Sequence, residues 1–282
     1  MKKYVFIDID GTLFDHESGI IPASAIEALQ KAKANGHELF ICTGRPKPIV
    51  ESSFWNLPIT GIIYSGGTHI EIDQKIIFQR HFPKEQMFEL IQILSSNQFD
   101  YTLEGTEKNL YTKGNYDWFK TYLCKENFID SELETRFEEK SVLKLIENAD
   151  PEDFEQITKI DVFAENDQRI HDLISNLPEG LDGFVYSNPI DNLIEAEILI
   201  AGISKASGID EILNYYDAKI KDTVAIGDST NDMAMIEHAR IGIAMGNACE
   251  PLKEIADMVT APIGQDGLHH AFKAVGLFEE KS

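Results

Sequence analysis

The chain has 282 residues, 43% of them hydrophobic and 26% charged, which gives it the length for one or two packed domains and a globular composition. Its 25 lysines and arginines against 48 aspartates and glutamates leave a formal net charge of −23, which argues against nucleic acid or an anionic membrane surface as partners. Cys42, Cys124 and Cys249 are too few and too scattered for a disulfide framework or a zinc site.

The first apolar run, residues 4–9, reads as a strand and contains Asp8 at its end, with Asp10 and Gly11 directly after. Residues i and i+2 of an extended strand share a side, so the pattern predicts that Asp8 and Asp10 face one site. Two carboxylates that close repel unless a cation lies between them or one carries a proton. A helix follows over 24–32, with Pro22 before it and Gly36 after it as start and stop signals. Residues 38–42 and 62–64 read as further strands buried on both faces. Cys42 lies inside the first of these, where a thiol serves as a small hydrophobe.

From about 82 to 188 the pattern changes to a mixture of helical (84–95) and strand-like (161–164, 184–186) stretches. This span carries 10 lysines and arginines against 23 aspartates and glutamates, over half of the acidic excess. Its most acidic part, 126–139, reads as a solvated helix face. The α/β alternation then resumes with a helix over 204–216, whose Ile209, Ile212, Leu213 and Tyr216 share a face, and strands over 223–226 and 241–245. Strand–helix–strand alternation predicts a doubly wound parallel sheet built from both chain ends, with a second α/β domain inserted between them. The expected boundaries are 1–81 with 189–282 for the core and 82–188 for the insertion.

Three more signals fall at strand or helix ends on the ligand-binding edge of such a sheet. Thr43 and Gly44 follow the strand 38–42 and bring a hydroxyl and backbone N–H groups to that edge. Lys205 stands in the first turn of a helix, where a cation opposes the macrodipole unless both act on one bound anion. Asp228 follows the strand 223–226, with Asn231 and Asp232 opening the next helix. Asp8, Asp10, Asp228 and Asp232 converging there call for a hard divalent cation with oxygen ligands, Mg²⁺ rather than zinc. By contrast, His269 and His270 are adjacent on a helix, point about 100° apart, and make a poor metal pair.

In their order and placement these pieces resemble the haloacid dehalogenase superfamily, whose motifs run DxDGT, a hydroxyl residue, a lysine and GDxxND. The counterparts are Asp8-Ile9-Asp10-Gly11-Thr12, Thr43, Lys205 and Gly227-Asp228-Ser229-Thr230-Asn231-Asp232. The long insertion comes after Thr43, and Asp266-Gly267-Leu268 lies near the C-terminus, both similar to the Cof-type sugar-phosphate phosphatases with a C2-type cap. Ser65-Gly66-Gly67 departs from the Asn-Gly-Ala usual in that group. The resemblance implies a Rossmann-like core under an inserted cap that selects substrate. It implies a Mg²⁺-dependent phosphatase acting on a small phosphorylated metabolite through an aspartyl-phosphate. Asp8 interrupts the N-terminal apolar stretch before it reaches signal-peptide length, and no apolar run approaches the ~18 residues of a membrane span, so a cytoplasmic protein is expected, as a monomer or small homo-oligomer.

The same resemblance assigns roles. Asp8 is the nucleophile, and Asp10 the acid and base. Asp8, Asp228 and the Asp10 backbone carbonyl are the metal ligands. Thr43, Lys205, Asn231 and the Ile9 and Gly44 N–H groups hold the phosphoryl oxygens, and Asp232 acts from behind by orienting Lys205 or a metal-bound water. A phosphomutase would use the same Asp8 and Asp10, and a phosphosugar sensor could keep the scaffold without turnover. A phospho-receiver module fits less well, because its acceptor lies on a different strand from its acidic pair. No Gly-x-Gly-x-x-Gly follows the first strand, so a dinucleotide-binding dehydrogenase lacks its main signal.

Overall fold

A computed structural model describes residues 1–118, 142–165, 168–187 and 193–279. The acidic stretch 126–139 and Cys124 lie outside the described residues. In chain order the described elements begin with β1 (Tyr4–Ile7), α1 (Ala23–Ala34), β2 (Glu38–Cys42), β3 (Gly61–Tyr64), β4 (His69–Ile72) and β5 (Lys75–Gln79). There follow α2 (Lys84–Ser96), β6 (Asp100–Gly105), β7 (Asn109–Tyr111), β8 (Leu143–Leu145), β9 (Ile157–Glu165), α3 (Gln168–Ser175), β10 (Leu181–Ser187) and β11 (Leu193–Ile200). The last are α4 (Lys205–Tyr216), β12 (Thr223–Gly227), α5 (Met233–His238), β13 (Gly242–Ala244), α6 (Glu250–Ile255), β14 (Met258–Val259) and α7 (Gly267–Ala274).

The first compact unit comprises Met1–Arg45, Ser52–Gln79 and Ser204–Ser282. Its eight-stranded sheet runs β14-β13-β12-β1-β2-β3-β4-β5. Pairing is parallel from β14 through β3, and β4 and β5 extend the sheet as an antiparallel hairpin. The central strands are apolar on both faces because helices cover both: Val5, Phe6, Ile7, Leu39, Phe40, Val224 and Ile226 are fully buried. Each such side chain contributes about 1.5–3 kcal/mol on burial, so this sheet anchors the strand ends that carry the polar residues.

β1 ends at Ile7, not at Ile9. Beyond it the backbone turns, with the Leu13 and Phe14 N–H groups both donating to the Ile9 carbonyl. The carboxylates of Asp8 and Asp10 take different hydrogen-bond partners, Lys205 for the first and Arg45 with His16 for the second.

The second unit comprises Pro46–Glu51 and Arg80–Ile203. Its six-stranded sheet runs β10-β11-β9-β6-β7-β8, antiparallel except for the β7–β8 pair. This unit extends past the expected end at 188. β11 pairs along its length with β10 on one side and β9 on the other, so residues 193–200 belong to the second sheet and not to the core. One face of the sheet packs Tyr101, Leu103, Ile160, Val162 and Ile198 with Met87, Leu90 and Leu94 of α2 and Ile170 of α3. Its strands also carry buried Glu104, Lys159 and Asp161, and Lys159 pairs with Glu104 (3.0 Å), Asp161 (3.3 Å) and Glu197 (2.7 Å). Among the described residues no helix is long and apolar enough to cross a membrane.

Candidate active site

The polar residues of the first unit gather where β1, β2 and β12 end together. Asp8 follows β1, and its N–H donates to the Ile226 carbonyl of β12 at 3.0 Å. Asp228 follows β12, and its carbonyl accepts from Cys249 N–H at 2.9 Å. Parallel pairing in register, Ile7 with Ile226 and with Ile41, brings these ends side by side.

Lys205 reaches the same place from α4. Ser204 caps this helix through a capping box with Ser207, an arrangement worth about 1 kcal/mol. Close packing fixes the helix: a Cβ at Gly208 would stand 2.9 Å from Ile63 Cγ2, so only glycine lets α4 lie this near β3. Lys205 is the first helical residue and is 3% exposed. Its Nζ donates to Asp8 Oδ1 (2.7 Å), Asp232 Oδ1 (2.5 Å) and Asn231 Oδ1 (3.2 Å), which uses all three of its protons. These carboxylates compensate the ammonium for its position at a helix N-terminus.

Asp232 is fully buried, and its second oxygen, Oδ2, accepts the N–H groups of Asp228 (2.9 Å) and Ser229 (3.0 Å). Gly227 leaves room for it, since a Cβ there would stand 2.5 Å from Asp232 Cγ. Asp232 thus spends both oxygens on holding Lys205 and the turn after β12. Burial of a charge pair costs several kcal/mol per ion, so losing one partner from the Asp8–Lys205–Asp232 chain is expensive.

Asp8, Asp228 and Asp232 each offer an oxygen within 4.8 Å of one another. Burial pushes Asp8 well above the ordinary carboxylate range, reinforced by Asp232 and opposed by Lys205. Burial likewise raises Asp228, to about 7, with Asp232 adding to the effect and Lys205 opposing it. Among the described residues the Asp228 carboxylate has only a long hydrogen bond, from Thr12 Oγ1 at 3.5 Å. Three carboxylates around one ammonium leave surplus negative charge, and the donors are all oxygen. Such a set fits a hard divalent cation, with Asp8 and Asp228 offering the available oxygens.

Asp10 is turned to other partners. Arg45 grips it with a two-pronged contact, Nε to Oδ2 at 2.9 Å and Nη2 to Oδ1, and His16 Nε2 donates to Oδ1 at 2.7 Å. Burial alone would raise Asp10, but the Arg45 guanidinium and His16 hold it well below the usual carboxylate range. Gly11 makes the turn behind it with φ +78°, and a Cβ at that position would stand 2.2 Å from Asp228 Oδ2.

Thr43 is buried at the end of β2, where its Oγ1 accepts Arg45 N–H at 3.1 Å, and Gly44 follows it. The structure joins Asp8, Lys205, Asn231 and Asp232 by direct hydrogen bonds and sets Asp228 beside them. Among the described residues no hydrogen bond joins Thr43 to that group. The next turn, Ser65-Gly66-Gly67, has positive φ at all three residues (46°, 62° and 115°), and Ser65 N–H and Gly66 N–H donate to the Arg45 and Thr43 carbonyls. Sequence reasoning missed Arg45 and His16. Arg45 stands directly after Thr43-Gly44, and its charge at a strand end was the available signal. Cys42, His269 and His270 take no part: Cys42 is buried with its thiol pushed far up by desolvation, and the two histidines stack edge-on.

A family model described as haloacid dehalogenase-like hydrolase matches residues 5–272. The Bacillus subtilis (strain 168) protein YkrA is 28% identical over 99% of each chain. The 5-amino-6-(5-phospho-D-ribitylamino)uracil phosphatase YitU of the same organism is 26% identical, over 96% of this chain and 97% of its own. Among solved structures, the subclass IIB sugar phosphatase BT4131 superposes with a TM-score of 0.76 at 27% identity, over 98% of this chain and 100% of its own.

Proposed function

Because the chain belongs to the haloacid dehalogenase-like hydrolases, we propose that it is a Mg²⁺-dependent phosphatase of small phosphorylated metabolites, sugar phosphates or compounds of similar size. The observation that carries this reading is the Asp8 carboxylate, buried, held at 2.7 Å by Lys205 and flanked by Asp228 and Asp232. YitU and BT4131, whose names state phosphatase activity on phosphorylated metabolites or sugars, support the reaction class.

In this reading Asp8 attacks phosphorus and takes the phosphoryl group as an acyl phosphate, dividing hydrolysis into two easier steps. Mg²⁺, held by Asp8, Asp228 and the Asp10 backbone carbonyl, would screen the anionic nucleophile from the anionic phosphate. Lys205 already bonds Asp8 and Asn231, so it fixes the direction of the attacking oxygen and presents positive charge to the phosphoryl oxygens. Thr43 Oγ1 and the Ile9 and Gly44 N–H groups supply donors to the same oxygens.

Asp10 gives a proton to the leaving oxygen and later takes one from the hydrolytic water. Without substrate, Arg45 and His16 keep Asp10 ionised. A bound phosphate adds negative charge beside it and raises its proton affinity, which is what the acid role requires. The inserted domain serves as the cap that selects the leaving group. A phosphate-release screen over phosphorylated metabolites with Mg²⁺ and an Asp8→Asn control tests the proposal. Turnover by the wild type and none by the variant supports it. Equal release by both overturns it.

A further inference from the structure

The loop after β1 folds back on the residue that it leaves. Gly11 N–H donates to the Phe14 carbonyl at 3.0 Å, and the Asp15 side chain accepts Glu17 N–H (3.1 Å) and Ser18 Oγ–H (2.7 Å). His16 rides on this internally bonded turn, and its ring meets Phe14 edge-on at 5.2 Å. The result is Nε2 at 2.7 Å from Asp10 Oδ1. A ring nitrogen bearing hydrogen donates here whether the imidazole is neutral or charged.

The two oxygens of Asp10 are therefore not equivalent. Oδ1 receives Arg45 Nη2 and His16 Nε2, which occupies both of its in-plane lone pairs. Among the described residues Oδ2 receives only Arg45 Nε, at 2.9 Å. The Asp10 side chain is 38% exposed, so it is open to a reactant.

We propose that His16 is a positioning residue for Asp10: with Arg45 it locks Oδ1, and so presents Oδ2 as the oxygen that exchanges a proton with the substrate. The inference rests on the acid–base role given to Asp10 above. In the first half-reaction the Oδ2 proton passes to the ester oxygen as that oxygen takes the electron pair of the breaking P–O bond. The phosphoryl group ends on Asp8 and Asp10 becomes a carboxylate. In the second, Oδ2 takes a proton from the water that attacks phosphorus.

A mispositioned acid slows the release of a poor leaving group far more than that of a good one. The experiment compares kcat/KM for an alkyl phosphate, glycerol 3-phosphate or glucose 6-phosphate, with kcat/KM for p-nitrophenyl phosphate, whose leaving group needs little protonation. Measured on full-length protein, His16→Ala and His16→Phe should lose about tenfold on the alkyl ester, a modest share of the 10²–10⁴ that acid–base catalysis supplies. Their loss on p-nitrophenyl phosphate should be several-fold smaller. His16→Gln, which places a donor where Nε2 stood, should restore most of the alkyl-ester rate. Equal losses on both substrates, no loss on either, or no recovery with glutamine would overturn the assignment. Asp8→Asn runs alongside: if it keeps turning over, the phosphatase reading falls and takes this inference with it.

Discussion

Lys205 Nζ lies 2.7 Å from Asp8 Oδ1, a hydrogen bond that joins residues 197 positions apart within the first domain. The whole second domain is threaded between them. This one contact ties the N-terminal strand to the segment that returns after the insertion. It also holds the carboxylate proposed for nucleophilic attack.

Replacing Lys205 should therefore hurt twice. Lys205→Met removes the counter-charge of two buried carboxylates, and breaking a buried pair in this way costs about 3–5 kcal/mol. Thermal melting should show a fall in Tm, and phosphate release should drop at least about 10²-fold, the scale for losing one preorganised stabilising group. Lys205→Arg should fold better than Lys205→Met yet stay slow, because a planar fork cannot reproduce three converging bonds from one nitrogen.

Asp228 is expected to trade stability for function. Its folded value of about 7 lies above the usual 3.8, so the folded protein binds this proton more tightly than the unfolded chain does. Stability from that group is present at low pH and is lost as pH rises from about 4 to 7. Without metal at pH 8, Asp228→Asn should be more stable than wild type by about 2 kcal/mol, discounted for partial exposure from 1.36 kcal/mol per unit. Adding Mg²⁺ should raise the Tm of the wild type and leave the variant nearly unmoved. Denaturant titrations with and without Mg²⁺ check both halves.

Gly11 is a sharper probe of the same edge. Alanine at φ +78° is strained, and its Cβ would overlap Asp228 Oδ2 at 2.2 Å. Gly11→Ala should lower Mg²⁺ affinity, read as a rise in the Mg²⁺ concentration needed for half-maximal phosphate release. An unchanged Mg²⁺ dependence would show that Asp228 does not hold the ion.

At the far end of the same sheet, Glu38 gives a prediction about acid stability alone. Burial would raise it, but Lys2 (2.8 Å), Lys33 (2.7 Å) and Thr60 (2.5 Å) bring it from 4.5 down to about 2. A lowered carboxylate value means stability present above about 4.5 and lost as pH falls toward 2. Glu38→Gln should cost about 1–2 kcal/mol at pH 7, since the lysines are partly exposed, and nothing near pH 2. Urea midpoints at the two pH values measure the difference.

The core was legible because its strands are apolar on both faces, as in Val5-Phe6-Ile7 and Val224-Ala225-Ile226, and because each ends in a polar residue on one edge. The helix from Lys205 was equally plain from the apolar spacing of Ile209, Ile212, Leu213 and Tyr216. The second sheet was harder to read. Glu104, Lys159 and Asp161 are charged residues that a sequence assigns to solvent, yet they are buried against one another inside strands. β11 was placed outside the insertion for the same kind of reason: strand pairing with β9 and β10 is a long-range property that periodicity does not reveal. The different partners of Asp8 and Asp10 were not legible either, because the grip on Asp10 comes from Arg45, 35 residues away.

In the proposed reaction Asp8 carries the phosphoryl group between two half-reactions. Mixing the protein with Mg²⁺ and a rapidly hydrolysed phosphate ester, quenching in acid within the first turnover and measuring the intact mass tests it directly. A fraction of molecules should be one phosphoryl group heavier, with the added mass on the peptide that contains Asp8 and none in Asp8→Asn. Phosphate release by Asp8→Asn at the wild-type rate, or a phosphoryl group found on another residue, would contradict it.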